Sequence, residues 1–353
     1  MQLHIGESRD SGSGPSDHPG RTWGRRPLIT SPSLPAELKA ALDAKLQGLS
    51  RNDTAPRAAL ISKTYRDGGG SAAIRSEADA LAYALARMPA TYAAVVASLN
   101  ALCEIAPDFA PQSLLDVGAG PGTASWAAAE TFSTLQSFAL LDANDALRVL
   151  ALDLAEQGAR LGYLQYRKCE ALAALADAEA ADLVIASYMI GELDDAQRPK
   201  LAERLWSKTR GTLLVVEPGT PTGYARIIAL RQQLIASGAH IAAPCPYDRR
   251  CPLTAPDWCH FTQRLARSRA HKQVKDAELP FEDEKFSYIA LTRTPVALRR
   301  SRVLAQPHLG KAEVTAKLCT PDGLRSEKVP HRDKTAYARA RRWRWGDAVV
   351  DKS

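Results

Sequence analysis

Apolar and polar residues follow two different periods along this chain, and the change between them divides it. From residue 34 to residue 110 apolar positions recur at three- and four-residue steps, as at Leu38 and Leu42, which predicts a helical N-terminal subdomain. From residue 111 to residue 295 short apolar runs alternate with helical stretches. Strands that alternate with helices predict a doubly wound parallel sheet with helices on both of its faces.

The finer pattern predicts where individual elements lie. Pro89 separates two predicted helices, Glu77 to Arg87 and Ala90 to Glu104, because proline interrupts a helix interior. The alternating stretch Lys285 to Thr292 predicts a late strand at the edge of the sheet, in an antiparallel hairpin. The basic and aromatic stretch Lys334 to Gly346 predicts a helix near the end of the chain.

These patterns predict four parts. Residues 1–33 are rich in Gly, Ser and Pro and predict a disordered tail. The helical subdomain (34–110) and the sheet domain (111–295) follow it. A loop with several cysteines and prolines, residues 244–263, is inserted in the sheet domain. Residues 296–353 predict a small basic β unit that is followed by the helix.

Charge adds a candidate partner to this picture. The chain has 353 residues, of which 45% are hydrophobic and 24% charged, an ordinary composition for a globular protein. The net charge is +7, and the stretch Arg264 to Ser353 holds 21 Lys/Arg residues against 11 Asp/Glu residues. Such asymmetry predicts an end that faces nucleic acid. A solvated basic surface without a partner is the simpler alternative.

The cellular location is predicted from what the sequence lacks. No apolar run reaches the roughly 18 residues that span a bilayer, so no membrane is expected. The beginning of the chain has no secretory h-region, and Glu7, Asp10 and Asp17 argue against a mitochondrial transit peptide. We therefore expect a cytoplasmic monomer, in which clustered cysteines indicate metal or redox chemistry and not disulfides.

A glycine-rich turn is the first candidate site. Gly118, Gly120 and Gly122 follow a short apolar strand and precede a helix, where backbone N–H groups can approach a ligand. Asp116 ends the strand before the turn, and Asp142 ends the next strand, where a carboxylate can accept hydrogen bonds from ribose hydroxyls. This arrangement resembles the class I S-adenosylmethionine-dependent methyltransferases. A Rossmann-like turn that has lost its ligand is the alternative.

The resemblance implies a fold and a cofactor. The expected fold class is α/β, a class I methyltransferase-like (Rossmann-like) doubly wound sheet, and S-adenosylmethionine is the expected cofactor. The carboxyl ends of the parallel strands form one edge at which ligands bind, so residues after several strands can share the site. The predicted cofactor-binding residues are Asp116, Gly118, Gly120, Gly122, Asp142 and Ser187.

No catalytic residue can be identified from the sequence. After the fourth strand there is no Asn/Asp-Pro-Pro-Tyr box of the kind that grips an amino group. A Pro-Cys pair at a strand end, typical of a cytosine nucleophile, is also missing. Tyr188 and Glu192 are the nearest polar candidates, and an ordinary role at a strand end explains them equally well. Methyl transfer therefore stays an open prediction.

Four cysteines form the second candidate site. Their spacing is Cys-x5-Cys-x7-Cys-x59-Cys, which differs from the Cys-x2-Cys knuckle of common zinc sites. Wider gaps suit a larger object, and four thiolates hold iron–sulfur clusters. Zinc and unligated cysteines are the alternatives. The four candidate ligands are Cys245, Cys251, Cys259 and Cys319, whereas Cys103 and Cys169 are expected to be buried thiols.

Several motifs together resemble one known family. They are Cys245-Pro-x-Asp-x-x-Cys251-Pro, Trp258-Cys-His-Phe-x-Gln-Arg264, the glycine-rich turn, Arg87-x-Pro-Ala-Thr-Tyr92 and the terminal Arg-Trp-Gly-Asp347. They are similar to the methyltransferase-like small-ribosomal-subunit assembly factors, found in mitochondria and bacteria, and the similarity covers about residues 34 to 347. We expect a bacterial relative of the mitochondrial protein. The resemblance implies a 4Fe–4S cluster on the four cysteines and binding to small-subunit rRNA, near the decoding or head region, in assembly intermediates.

Basic residues complete the predicted sites. Arginine binds phosphates, and interleaved Tyr and Trp side chains can stack on unpaired bases. Solvated arginines on a helix whose tryptophans dock on the protein are the alternative. The predicted RNA-binding residues are Arg264, Arg267, Arg269, Lys272, Arg339, Arg341, Arg342 and Arg344.

The sequence leaves several functions to be weighed. An rRNA-binding assembly factor is favoured by the basic end and the missing catalytic box. An active S-adenosylmethionine-dependent rRNA methyltransferase is favoured by the intact turn, and a zinc-binding RNA-binding protein is the second alternative. A radical S-adenosylmethionine enzyme is disfavoured, because its cluster needs an open iron and a fourth cysteine is available here.

Overall fold

The computed structural model describes most of the chain between residues 32 and 349. The described residues are 32–46, 51–66, 69–159, 161, 164–267, 271–272 and 279–349. The predicted disordered tail, residues 1–33, lies outside them except for its last two residues.

Helices form the first part of the described chain. They are α1 (Ala36–Leu46), α2 (Arg51–Arg66), a 3-10 turn (Gly70–Ala73) and α3 (Glu77–Ile105). A capping box begins α3. The Ser76 hydroxyl accepts a hydrogen bond from the Asp79 N–H, and the Asp79 carboxylate accepts one from the Ser76 N–H.

The predicted break at Pro89 is wrong. α3 runs through Pro89 as a single helix of 29 residues. The lost hydrogen bond and the steric clash at a proline inside a helix cost about 3 kcal/mol. Leu85, Met88 and Tyr92 flank the proline and are buried, and burying one such side chain contributes about 1.5–3 kcal/mol. Tertiary packing of the helix therefore outweighs the interruption.

Within the described residues, eight strands form the main sheet. They are β1 (Ser113–Val117), β2 (Ser137–Asp142), β3 (Gln165–Lys168), β4 (Ala181–Ser187), β5 (Thr209–Pro218), β6 (His240–Ala243), β7 (Phe261–Ala266) and β8 (Phe281–Thr292). Their order is β3-β2-β1-β4-β5-β8-β6, with β7 also paired to β8. β1 to β5 are parallel, and β8 is antiparallel to its three neighbours. The predicted class I methyltransferase-like fold is confirmed.

Helices cover both faces of this sheet. The remaining ones are α4 (Thr123–Thr131), α5 (Asp145–Glu156), α6 (Ala171–Asp177), α7 (Gln197–Ser207) and α8 (Pro221–Ala236). Leu114 and Ile185 belong to the core on the face of α3, α4 and α5. Leu115 and Val184 belong to the core under α6, α7 and α8, because successive strand residues face opposite sides.

α3 is the longest helix of the described chain, and most of its residues are apolar. By length and composition alone it is the one described helix that could cross a membrane. However, 78% of its most apolar 18-residue window is buried inside the protein. The apolar surface of α3 is therefore used for packing in the core.

The late strand was predicted at the edge of the sheet, but it lies in the interior. β8 lies between β5 on one side and both β6 and β7 on the other. β6 and β7 follow one another along β8, and the cysteine loop connects them. The second half of β8, from Phe286 to Leu291, is buried and apolar, as expected for an interior strand. The first half alternates between exposed and half-buried residues, and this alternation led to the wrong prediction of an edge strand. The loop therefore lies between two strands of the sheet.

A second, antiparallel sheet forms the C-terminal part. It contains β9 (Ser301–Val303), β10 (His308–Leu309), β11 (Glu313–Thr320), β12 (Gly323–Pro330) and β13 (Ala348–Val349), with α9 (Lys334–Ala340) before β13. The predicted helix to Gly346 is therefore too long. Gly346 has a left-handed φ of +95°, which turns the chain so that β13 pairs with β9.

Candidate functional site

The glycine-rich turn has a backbone that favours glycine at three positions. Gly118, Gly120 and Gly122 have φ angles of +68°, +54° and +77°, in the left-handed region. A Cβ added to Gly118 would lie 2.6 Å from the Cβ of Met189, so this glycine is also required for a close approach. At Gly120 the nearest atom to an added Cβ is 3.9 Å away, which leaves space beside the turn.

Asp116 is fully buried below this turn. Its Oδ2 accepts hydrogen bonds from the Ser125 N–H at 3.1 Å and from the Ser125 hydroxyl at 2.8 Å. Its Oδ1 has no partner among the described residues. Burial raises the pKa of Asp116 from 3.8 to about 7, against the lowering effect of Ser125. A cationic donor would satisfy the unpaired oxygen and favour the carboxylate.

Asp142 connects the turn to the next loop. One carboxylate oxygen accepts from the Gly120 N–H at 2.9 Å, and the other accepts from the Asn144 N–H at 2.8 Å. Burial raises the pKa of Asp142 and these two bonds oppose that effect. The backbone of Ala143 is a third hydrogen-bond donor to this carboxylate, which leaves about one of its four acceptor sites for a hydroxyl. The Tyr166 hydroxyl donates to the Gly120 carbonyl at 2.7 Å and fixes the turn from the side of β3.

The 3-10 turn of the N-terminal part lies against this strand edge. The Asn144 amide donates to the carbonyls of Ser71 and Ile74, at 3.1 and 2.9 Å. The Glu192 carboxylate accepts from the Ser71 N–H and hydroxyl, both at 3.3 Å. Sequence analysis missed this cover, because the paired residues lie about 70 and 120 positions apart and no local signal marks them.

Ser187 and Tyr188 follow β4. Ser187 is half-buried at the strand end, beside Tyr188, whose φ of +57° is rare for a residue other than glycine. The Tyr188 hydroxyl donates to Glu284 at 2.8 Å, and Arg87 pairs with the same carboxylate at 3.2 Å. Burial and the Glu284 carboxylate raise the pKa of Tyr188 well above its usual range. Tyr188 is therefore a neutral donor and not a base.

The donor set of this edge fits S-adenosylmethionine. Its ammonium group matches the unpaired oxygen of Asp116, and its ribose hydroxyls match the remaining acceptor capacity of Asp142. Gly122 provides no side-chain cap for α4, and Asp116 accepts from the third N–H group, that of Ser125, so the first two N–H groups of the helix can receive a carboxylate. Met189 limits the space beside Gly118, which favours a ligand that extends toward Gly120.

The four predicted ligand cysteines line one cavity. Cys245, Cys251 and Cys259 come from the inserted loop, and Cys319 comes from β11 of the second sheet. The cavity contains about 470 Å³ of empty space, including its mouth, and its lining is mainly apolar. Cys103 and Cys169 do not line it.

A gap between two strands makes room for this cavity. Pairing of β6 with β8 ends at Ala243 and Ala290, and pairing of β7 begins at Phe261 and Phe286. Between these pairs, residues 287–289 of β8 line the cavity and have no described strand partner on that side. The loop leaves the sheet and returns to it at this gap.

Burial determines the protonation of the free thiols. It raises the pKa of Cys245 to about 12, although the Arg231 guanidinium acts in the opposite direction, and it also raises the pKa of Cys259. The hydroxyl of Tyr224 lies 3.3 Å from Cys251 Sγ, and that of Tyr247 lies 3.4 Å from Cys319 Sγ. Without a metal the buried thiols are therefore neutral, whereas a bound metal would favour the thiolates.

The arrangement of the four cysteines indicates whether a single metal ion or a cluster fits the cavity. In the part of the chain that the structure describes, no three Cys, His, Asp or Glu side chains are close enough together to hold one metal ion. All four cysteines nevertheless line the same cavity. A set of four thiols that share a cavity without forming a site for a single ion fits an iron–sulfur cluster.

Contacts beyond the cysteines also join the loop to the second sheet. The Lys317 ammonium pairs with Asp257 at 2.7 Å, and the Arg249 guanidinium donates to the Pro321 carbonyl. The Trp345 indole N–H donates to the His260 carbonyl at 2.9 Å. The second sheet is therefore attached to the loop on both sides of Cys319 in sequence.

The predicted RNA-binding residues fall into two sets. Arg264 makes two bonds to Asp283, and Arg267 pairs with Glu282 at 3.1 Å, so their charges are already partnered. Lys272 is half-buried, and Arg269 lies outside the described residues. Four arginines at the end of the chain are exposed and form no described ion pair: Arg339, Arg341, Arg342 and Arg344.

The tryptophans among these arginines are used inside the protein. Trp343 packs against the two small cores of the second sheet, and Trp345 packs edge-on against His260 with ring centres 4.8 Å apart. Their docking matches the alternative interpretation of this segment. Stacking on bases by these two residues is therefore not favoured, while the arginines remain available to phosphates.

Comparison with known proteins gives one family match. The family described as mitochondrial small ribosomal subunit Rsm22 matches residues 77–350. The human ribosome assembly protein METTL17, mitochondrial, is 29% identical over 293 residues, which cover 78% of this chain and 63% of its own. Rsm22-cox11 tandem protein 2, mitochondrial, of Schizosaccharomyces pombe is 25% identical over 334 residues, covering 76% of this chain and 42% of its own. The chain thus spans only part of the length of these curated relatives.

Solved methyltransferase structures align with part of this chain at low identity. Magnesium protoporphyrin IX methyltransferase of Synechocystis PCC 6803 with bound SAM aligns over 59% of this chain and 84% of its own, with 14% identity and a TM-score of 0.37. Ribosomal protein L11 methylase of Lactobacillus delbrueckii subsp. bulgaricus aligns over 57% and 79%, with 16% identity and a TM-score of 0.35. The fold assignment above rests on strand order and not on these scores.

One sequence-based prediction is contradicted by the comparisons. A cytoplasmic location was expected, but the matching family and both curated relatives are mitochondrial by name. The acidic residues near the beginning of the chain were therefore a misleading signal for location.

Proposed function

The chain belongs to the mitochondrial small ribosomal subunit Rsm22 family, and on this premise we propose that it is an rRNA-binding factor in assembly of the small ribosomal subunit. The name of its human relative, a ribosome assembly protein, supports this role. The mitochondrial names of the relatives support the mitochondrial subunit as its target. The observation that carries the proposal is the cavity in which cysteines of the loop and of β11 meet beside the basic end of the chain.

The proposed resident group of that cavity is a 4Fe–4S cluster. Cys245, Cys251, Cys259 and Cys319 would hold it as thiolates. The support is that four cysteines line one cavity and that the described residues contain no ligand set for a single ion. When bound, the cluster would supply a covalent link between the loop and the second sheet. The RNA-facing end would then depend on the iron–sulfur supply.

Metal analysis tests this part of the proposal. Anaerobically purified protein should be brown, absorb in the visible range of iron–sulfur proteins, and contain iron and acid-labile sulfide. Cys169→Ser is the matched control, because this cysteine lies outside the cavity and its replacement should leave the iron content unchanged. A colourless protein with stoichiometric zinc would favour a zinc-binding RNA-binding protein instead.

The proposed RNA surface consists of the exposed arginines on and after α9. Each arginine can bind a phosphate by two hydrogen bonds, and the absence of described carboxylate partners leaves their charge available. Arg264 and Arg267 contribute less in this proposal, because Asp283 and Glu282 already neutralise them. The docked tryptophans would hold the arginine segment in place.

Binding to assembly intermediates tests the surface. The double variant Arg341→Glu and Arg342→Glu should sediment with immature small subunits far less than the parent protein does. Its affinity should also depend less on salt, by a slope of about one per lost phosphate contact. Arg204→Glu changes the charge of an exposed arginine on α7 and is the control. Equal binding by both variants would contradict the proposed surface.

S-adenosylmethionine binding is proposed for the strand edge at the glycine-rich turn. The support is the unpaired Asp116 oxygen, the accepting capacity of Asp142 and the first two N–H groups of α4, which have no cap from Gly122. When bound, the cofactor would supply a methyl group, but none of the described side chains at this edge is placed as a free base. Tyr188 is already bonded to Glu284. A structural or sensing role for the cofactor is therefore favoured over methyl transfer.

An active rRNA methyltransferase is the second candidate function. The intact turn and the fit of Asp116 favour it. Purified, metal-loaded protein should be incubated with immature small subunits and labelled S-adenosylmethionine. We expect binding without transfer. Labelled methyl groups in rRNA would replace the assembly-factor proposal by the enzymatic one.

A further inference from the structure

Two arginines lie in the interior of the protein beside the cysteine cavity. Arg231 on α8 and Arg302 on β9 are each only 1% exposed, and both line the cavity together with the four cysteines. A buried guanidinium is costly unless an anion or several hydrogen bonds compensate it. The surroundings of these two side chains therefore indicate what the cavity contains.

Arg231 has no carboxylate partner in the described chain. Its Nη2 donates to the carbonyl of Tyr247 at 3.2 Å and to that of Arg249, and both acceptors are neutral. Its Nε, also buried, has no described partner. Two carbonyls do not neutralise a full positive charge at this depth.

Arg302 is only partly compensated. Its Nη1 donates to the Gly346 carbonyl at 2.8 Å and lies 3.6 Å from Glu104, beyond ordinary hydrogen-bond distance. Its Nε lies 3.4 Å from the Pro244 carbonyl, and its Nη2 has no described partner. Arg231 thus brings an uncompensated positive charge to the cavity, whereas Glu104 partly offsets the charge of Arg302. Both side chains have an N–H donor without a described partner.

Four thiolates around a cluster carry the opposite charge. Once the cysteines are ligands they are deprotonated, and the centre that they form is a net anion. We propose that Arg231 and Arg302 are positioning residues that compensate this anion and raise the reduction potential of the cluster. This inference rests on the proposed 4Fe–4S site. The two arginines would act on the cluster through their charge and not as its ligands.

The cause of the effect is electrostatic. Reduction adds an electron to an already anionic centre, and nearby positive charge lowers the free energy of the reduced form. Hydrogen bonds from N–H groups to ligand sulfur atoms act in the same direction. Removing one guanidinium should therefore shift the potential to more negative values, whereas replacing it by another cation should not.

Redox titration of the loaded, full-length protein tests the proposal. The variants are Arg231→Gln, which keeps an N–H donor but no charge, and Arg231→Lys, which keeps the charge. At the midpoint of the parent protein, Arg231→Gln should show an about tenfold lower ratio of reduced to oxidised cluster, equivalent to about 59 mV for one electron. Arg231→Lys should remain near the parent, and electron paramagnetic resonance would follow the reduced form.

Matched controls separate charge from structure. Arg293→Gln removes a guanidinium that also binds backbone carbonyls, those of Thr209 and Trp206, but lies outside the cavity. It should leave the potential unchanged. Arg302→Gln should shift the potential in the same direction as Arg231→Gln, and it provides the test if the Arg231 variants do not fold.

Different outcomes of the titration would contradict the role of the arginines and the presence of the cluster. Loaded Arg231→Gln or Arg302→Gln with the parent potential would overturn the arginine role and leave the cluster intact. Equal shifts in Arg231→Gln and Arg231→Lys would show that geometry and not charge matters, and would also overturn it. A parent protein without the iron–sulfur signals would overturn the cluster itself.

Discussion

The unfolding free energy of Asp116→Asn, measured relative to that of the parent protein, should increase as the pH rises. Asp116 has a pKa of about 7 in the folded state against an ordinary value of 3.8, because burial disfavours the carboxylate. An acid whose pKa is raised by folding holds its proton longer in the folded state. Its contribution to stability is therefore greatest below the unfolded pKa and declines as the pH rises toward the folded pKa.

The size of the effect follows from the shift. One pKa unit corresponds to about 1.4 kcal/mol, and about two units separate pH 5 from the folded pKa. Between about pH 5 and about pH 8 the parent should lose roughly 2.5 kcal/mol through this residue alone. Asparagine has no proton to lose, and its side-chain oxygen can still accept from Ser125. The free-energy difference between variant and parent should therefore grow by that amount.

Chemical unfolding at several pH values measures this difference without added cofactor. Contributions of titrating groups that do not interact with Asp116 cancel when variant and parent are compared at each pH. Asp182→Asn is the control, because its pKa is lowered, against burial, by hydrogen bonds from Gln112, Ser113 and Arg210. A lowered pKa makes its contribution constant above the unfolded value, so the control difference should be flat over this range. A flat or reversed trend for Asp116→Asn would refute the reasoning.

Three further predictions concern the turn, the cavity and the docking of the last segment. Cys259→Ser should abolish the absorption expected of the proposed iron–sulfur cluster. It should also raise the rate of amide hydrogen exchange in both the loop and β11. A higher rate in the loop alone would exclude a ligand from β11. Gly118→Ala should destabilise the protein by about 3 kcal/mol or more in chemical unfolding, from left-handed strain and overpacking against Met189. Gly238→Ala has similar strain but nothing within 4 Å, so an equal loss would contradict the steric explanation. Trp345→Ala should lower the free energy of unfolding by about 2 kcal/mol, since a half-buried indole and its hydrogen bond are lost. An unchanged thermal unfolding temperature would exclude a docking role for Trp345.

Much of the fold could be predicted because its signals are local. The alternation of strands and helices required the doubly wound sheet, and the spacing of glycines required a tight turn before α4. The capping box at Ser76 and the apolar runs of β4 and β5 are likewise readable from neighbouring residues. Such patterns depend on backbone conformation within a few residues of each other.

Errors arose where distant packing competes with a local signal. Pro89 predicts a break, but apolar burial on both sides of it keeps α3 continuous. The alternating first half of β8 predicts an edge strand, but its second half is buried between β5 and β6. The aromatic segment after α9 predicts a longer helix, but Trp343 and Trp345 dock on the protein instead.

The sequence by itself determined the fold class, the glycine-rich turn and the identity of the four cysteines. Only the tertiary structure decided that a gap between β6 and β7 holds those cysteines around one space, and that Arg231 and Arg302 lie beside it. It also decided which arginines are exposed and which are paired with acids. Charge compensation and cavity shape depend on groups that are far apart in the chain, such as Cys259 and Cys319, and a local pattern does not encode their meeting.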